Sequence, residues 1–201
     1  MKRFYLSVLF LCSFGSLFAG GPSFAFCDYS QGKVFIQENG EIVWEHKAPD
    51  SNDIWVLPNK NILFTAGKEV LEVSRKNDTI FHYTSESNIF ACQRLKNGNT
   101  FIGECDNGRL LEVSPDGSIV KDVSILPFGV KTGGHAFMRN ARCLDNGHYL
   151  VAHYGGKSVV EYDENGKAVW NIPISGGAHS VIRLPSGNTL VAVTDKDNNP
   201  G

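Results

Sequence analysis

Three of the six histidines, His135, His153 and His179, stand with Arg139 and Tyr154 at the borders of short apolar runs. These residue types carry chemistry. Imidazole titrates near neutrality, bonds groups of either polarity and ligates zinc. A guanidinium grips carboxylate, sulfate or phosphate through paired N–H groups. A phenol offers a flat apolar face and one hydroxyl, which suits sugars and peptides. Three roles follow: a metal centre, a single histidine acting as base or nucleophile, and a non-covalent binding site. The histidine spacing matches no ligand motif, so no metal is expected. For the second role His179 is the candidate. Glu104, Asp106 and Asn140 are the further polar residues of the same neighbourhood. The competing role for each histidine is structural, bonding loop backbones. No Gly-x-Ser-x-Gly elbow and no His-Glu-x-x-His pair occurs. The Gly-rich stretch Ile125 to Ala136 lacks the Lys-Ser/Thr ending of a phosphate loop, and no helix pattern follows it. A lid or channel-mouth loop is the expectation there.

The elements that must position these residues are set by an internal repeat. Val56-Leu57-Pro58-Asn59-Lys60-Asn61-Ile62-Leu63-Phe64 matches Arg94-Leu95-Lys96-Asn97-Gly98-Asn99-Thr100-Phe101-Ile102. It recurs as Cys143-Leu144-Asp145-Asn146-Gly147-His148-Tyr149-Leu150-Val151 and Arg183-Leu184-Pro185-Ser186-Gly187-Asn188-Thr189-Leu190-Val191. The turn residues Lys60, Gly98, Gly147 and Gly187 are spaced by 38, 49 and 40 residues. A second pattern, Val70 to Ser74, Leu110 to Ser114 and Val159 to Asp163, runs each time into another turn and another strand. Asn-Gly and Asp-Gly turns tolerate the positive φ that short hairpins demand. Lys60 departs from this, and a longer or different turn is expected at that position.

Four strands per unit, called a to d, at a period near forty residues is the arithmetic of a β-propeller blade. The prediction is an all-β chain of four-stranded antiparallel blades. Complete units cover 53–85, 88–124 and 139–174. Residues 24–47 supply strands b to d of an earlier unit, and 178–201 begin a later one. This reads as an incomplete ring, the N-terminal part of a longer propeller. The a–b and c–d turns share one face. The d–a and b–c connections share the other, where the long spacing places the insertion 125–136. Function is expected on that second face, at His135, Arg139, His153, Tyr154 and His179. Arg94 and Arg183 occupy the same repeat position, which predicts a structural salt link between blades.

Composition bounds the partners. With 19 basic and 21 acidic residues and a formal charge of -2, the chain lacks the basic surplus of a nucleic-acid binder. Met1-Lys2-Arg3, an apolar run from Phe4 to Phe18, and small residues at Ala19 and Gly20 read as a secretory signal over 1–20. Export to the periplasm, cell surface or medium is the expectation, with no membrane span after cleavage. Cys27, Cys92, Cys105 and Cys143 remain beyond it, which leaves open buried thiols or a disulfide such as Cys92–Cys105.

The runs RLPSGNTLVA (183–192), RLKNGNTFIG (94–103) and EYDENGKAVW (161–170) resemble bacterial exported propellers of the pyrroloquinoline-quinone-like repeat type, neighbours of the arylsulfotransferase propellers. Only the Gly-x-x-x-Trp end of the quinoprotein docking motif is present, at Gly40 to Trp44 and Gly166 to Trp170, so no quinone cofactor is expected. The expected function is a binding module for a glycan, peptide or protein. The alternative that the resemblance implies is a propeller enzyme of arylsulfotransferase or lyase type, using His and Arg at the channel mouth.

Overall fold

The computed structural model describes residues 21–134 and 136–194. The signal reading over 1–20, His135 and the stretch 195–201 fall outside the described residues. Every regular element described is a β-strand. The first unit holds β1 (Phe24–Asp28), β2 (Lys33–Glu38) and β3 (Glu41–Lys47). The second holds β4 (Ile54–Val56), β5 (Ile62–Ala66), β6 (Glu69–Val73) and β7 (Thr79–Thr84). The third holds β8 (Ile89–Arg94), β9 (Thr100–Glu104), β10 (Arg109–Val113) and β11 (Ile119–Ser124). The fourth holds β12 (Asn140–Cys143), β13 (Tyr149–His153), β14 (Ser158–Tyr162) and β15 (Ala168–Pro173), and the fifth β16 (Gly177–Arg183) and β17 (Thr189–Thr194). Each unit is its own sheet, with strands in sequential order and antiparallel throughout. This is an incomplete β-propeller.

Its core lies between the sheets. Ile62 and Phe64 of β5 pack toward Val34, Ile36 and Trp44 of the first unit. Leu63, between them in sequence, packs the other way, toward Ile89, Ile102 and Leu111 of the third. Successive side chains of a strand point to opposite faces, so one buried strand serves two neighbours. β13 repeats the device: Tyr149 and Val151 face the third unit, and Leu150 and Ala152 face the fifth.

The repeated turns share one geometry. In the third unit Gly98 donates to the Leu95 carbonyl at 3.0 Å, with Gly98 at φ 90°. In the second unit Lys60 donates to the Leu57 carbonyl at 2.8 Å with φ 69°. The expected longer turn is therefore corrected: the same turn forms, and a lysine is held in the left-handed region. Each c–d pairing carries a register shift at the same place, after Ile36, Glu72, Glu112 and Glu161. Bulges of this kind increase the local twist.

None of the four described cysteines is in a disulfide. Cys92 lies opposite Ile102 in the β8–β9 ladder rather than beside Cys105, which closes the suggested bridge. Arg94 and Arg183 do form the expected links, to Glu72 at 2.6 Å and to Glu161 at 2.7 Å, each across a unit boundary.

Candidate functional site

Four residues stand five places before the recurring leucines Leu57, Leu95, Leu144 and Leu184: Asn52, Phe90, Arg139 and His179. Phe90 and His179 lie in the first residues of an innermost strand and Asn52 and Arg139 just before one, all on the face of the d–a connections. At two of them the ladder is interrupted. β8 pairs Ile89 with Glu104 and Ala91 with Gly103, which leaves Phe90 as the bulged residue. β16 pairs Ala178 with Val193 and Ser180 with Ala192, which leaves His179 bulged in the same way. A bulge re-aims a side chain without ending the sheet, and bulges are frequent beside functional sites.

Three of these residues form an arc with Tyr154. The Arg139 guanidinium sits 4.6 Å from the centre of the Phe90 ring and 6.0 Å from that of Tyr154. Tyr154 meets His179 edge-on at 4.9 Å between ring centres. The third, fourth and fifth units thus contribute to one surface. Glycine clears the space for it: a Cβ on Gly177 would lie 2.2 Å from the Tyr154 ring, so that ring rests directly on the fifth unit's backbone. Partial burial and the Arg139 charge hold the His179 imidazole below its ordinary range, which favours the neutral ring. From the first unit, the phenol of Tyr29 lies within electrostatic reach of Arg139, while a bond to Asp50 pushes that phenol up.

His153 belongs elsewhere. Strand alternation puts it on the Val151 side of β13, toward the third unit, and sends Tyr154 toward the fifth. It is buried, with Nδ1 2.7 Å from the Phe137 carbonyl and Nε2 2.8 Å from the Tyr162 hydroxyl. Burial lowers the His153 imidazole and pushes the Tyr162 phenol up to about 12, so both are held neutral. Its two nitrogens are used in tying the 137 loop to β14. Glu104 and Asp106 are likewise committed. Glu104 is buried, accepts from Ser85 at 2.6 Å and pairs with Arg109 at 3.1 Å. Asp106 accepts from the backbone and side chain of Asn88.

Beneath the mouth the inner edges of the blades are capped by side chains of their neighbours. Asp53 accepts from the Cys92 amide at 3.0 Å, and Trp55 Nε1 donates to the Cys92 carbonyl at 2.7 Å. Gln93 serves Cys143 in the same fashion, accepting from its amide at 3.0 Å and donating to its carbonyl at 3.2 Å. With its amide turned to satisfy its surroundings, Asn140 donates to the Val181 carbonyl at 3.3 Å and accepts from Arg142 at 3.3 Å. Arg142 of the fourth unit also reaches Asp53 of the second, past the third, with two bonds of 2.6 and 2.9 Å. Burial pushes the Asp53 carboxyl up, and the Arg142 guanidinium and Cys92 amide pull against it. Trp55 covers the guanidinium at 5.1 Å. This pair spans two unit boundaries, and Arg142 follows Arg139 of the arc by three residues.

Of the five residues expected from the sequence, the structure brings Arg139, Tyr154 and His179 together and places His153 apart from them, and Phe90, Tyr29 and the Asp53–Arg142 pair beside them were not anticipated. Aligning the units on their leucines would have exposed Phe90. Nothing in the repeat marks a contact that skips a unit. Among the described residues no group of three or more His, Cys, Asp or Glu side chains could hold a metal.

No family model matches the sequence, and no curated protein matches it. Solved structures do. A protein of unknown function from Bacteroides caccae superposes with a TM-score of 0.75 at 22% identity, covering 87% of this chain and 69% of that one. A streptogramin B lyase gives 0.63 at 14% identity, covering 88% of this chain and 63% of that one. BBS1N, in its complex with ARL6DN, gives 0.61 at 16% identity, covering 88% and 57%. The chain therefore spans between 57% and 69% of the length of these three structures. At such identities the likeness establishes a propeller-like fold and nothing finer.

Proposed function

We propose that the chain is part of an exported propeller that binds a glycan, peptide or protein partner at the mouth of its channel. Arg139, Tyr154 and His179 hold the ligand on the d–a/b–c face, and Phe90 backs the guanidinium. The single observation that carries this reading is the arc itself: one repeat position in successive units supplies a cation, an aromatic wall and a neutral imidazole to one surface. Arg139 takes a carboxylate or sulfate. Tyr154 takes a sugar face or peptide side chain, and His179 takes a hydroxyl or amide. Export rests on the signal-like N-terminus.

A second reading is an enzyme of arylsulfotransferase or lyase type with His179 as the base. It is favoured by the depressed His179 imidazole beside Arg139 and by the lyases among the structural neighbours. The test is an array of neutral and acidic glycans and short peptides, probed with the native chain and with Arg139→Ala/Tyr154→Ala. Binding confined to the native chain supports the site. Equal binding by both overturns it. A spot whose ligand is chemically altered by the native chain and left intact by His179→Ala selects the enzyme.

A further inference from the structure

On the opposite face, Arg–Glu links join the second unit to the third and the fourth to the fifth. The first–second boundary has Ile36 and Val56 at those two positions, and the third–fourth boundary keeps the carboxylate without the arginine. Between the second and third units, Glu72 Oε1 accepts from Asn59 at 3.3 Å and Asn61 at 2.6 Å. Its Oε2 accepts from Arg94 at 2.6 Å, and the same guanidinium donates to the Gly98 carbonyl at 2.7 Å. The Phe81 ring lies against that guanidinium at 5.3 Å. Between the fourth and fifth units the pattern returns. Glu161 is bonded by His148 at 2.8 Å and Arg183 at 2.7 Å, Arg183 also reaches Gly187 O at 3.3 Å, and Trp170 lies at 5.4 Å.

The boundary between the third and fourth units keeps most of this arrangement. Asn97 and Asn99 donate to Glu112 Oε1 at 2.7 and 2.6 Å. The position of Arg94 and Arg183 is held by Cys143, whose short side chain does not reach across. Among the described residues Glu112 has the two asparagines as its hydrogen-bond partners and no ion pair. Lys121 stands opposite Glu112 on β11, at the place of Phe81 and Trp170, and its ammonium rests over the Tyr149 ring at 5.3 Å. A groove of about 350 Å³ opens at this boundary, lined by Asn97, Cys143, Asp145 and Gly147 among others. Lys96 and Asp145 pair across it at 2.8 Å with both side chains exposed. Arg94 also borders the groove, with its guanidinium already committed to Glu72 and Gly98. Burial and then the Glu112 charge push the Cys143 thiol up, with Lys121 pulling against them and Asp145 adding to them, which places the Glu112 carboxylate within electrostatic reach of the gap and the Lys121 ammonium on its far side, over Tyr149.

We propose that this groove is a binding site for a guanidinium group, the arginine side chain of a peptide or protein partner, seated where Arg94 and Arg183 sit at the second–third and fourth–fifth boundaries. One edge of the incoming fork donates to Glu112 Oε2 and the other to the Gly147 carbonyl, the counterpart of Gly98 and Gly187. Paired donors at fixed separation distinguish a guanidinium from an ammonium here. The site lies on the a–b turn face and is independent of the arc at Arg139.

The probe is Nα-acetyl-argininamide titrated into the native chain, read by the side-chain amide signals of Asn97 and Asn99 and the backbone amide of Gly147. Saturable shifts of these signals are expected, and the same shifts in Arg139→Ala. Glu112→Gln should weaken the probe by about tenfold or more, because a charge-assisted pair is lost. Cys143→Arg should supply the guanidinium internally, abolish the shifts and raise the melting temperature. Cys143→Val, the residue type found at Val56 in the second unit, should bind as the native chain does. Absence of saturable shifts in the native chain, or shifts of equal affinity in Glu112→Gln, would overturn the proposal.

Discussion

A histidine's place on a strand decides what it can do. His153 and Tyr154 are adjacent in sequence, yet one is walled into the third–fourth boundary and the other faces the channel mouth. Their chemistry was legible in the sequence and their sides were not, because the side depends on which residues of β13 face which neighbour. Alternation from Tyr149 settles it once the pairing is known. The Asp53–Arg142 pair was hidden for a different reason: it joins the second unit to the fourth, and a repeat reports on neighbours only. Removing one partner of a buried pair leaves the other charge uncompensated, at a cost of about 3 kcal/mol or more. Arg142→Ala should therefore lower the urea midpoint strongly, and Asp53→Asn combined with it should recover part of the loss. Equal stability of native and Arg142→Ala chains would mean that the pair contributes nothing to holding the units together.

The turns and strands were the most legible level. The repeated Gly and Asn positions fix the hairpins, and positive φ is found at Gly98, Gly117, Gly147, Gly166, Gly187 and Asn77 as the turn chemistry requires. Lys60 shows where the pattern is strong enough to override the residue. Its turn is held by the same hydrogen bonds as its relatives, and a Cβ is carried in the left-handed region at a cost of about 1–2 kcal/mol. Lys60→Gly should raise stability by about 0.5–1 kcal/mol in chemical denaturation, after the entropy that glycine gains in the unfolded chain is deducted. A loss of stability would show that the Lys60 side chain makes a contribution larger than the strain. The bulges at Phe90 and His179 were invisible beforehand. They depend on a one-residue mismatch between strands whose apolar patterns look continuous.

In the whole molecule, stability resides in the boundaries between sheets. β5, β9 and β13 are buried along their full length, each inside a complete sheet, whereas β15 and most of β17 are exposed. Repeat arrays gain stability from nearest-neighbour interfaces. Amide exchange should therefore be slowest in β5, β9 and β13 and fastest in β1 and in β16–β17. Uniform protection would indicate that the first and fifth units are covered as completely as the second to fourth. The unit count and face assignment came from the repeat. The arc could be anticipated only as a region, since its members come from three units and converge through bulges and a glycine. The central claim is that the arc binds rather than merely ties loops together, and one measurement bears on it most directly. Arg139→Ala and His179→Ala are compared with the native chain for affinity toward the ligand selected on the array and for melting temperature, on the same samples. A binding surface predicts loss of affinity by about tenfold or more with the melting temperature nearly unchanged. Unchanged affinity with a large fall in melting temperature would contradict it and leave these side chains a purely structural role.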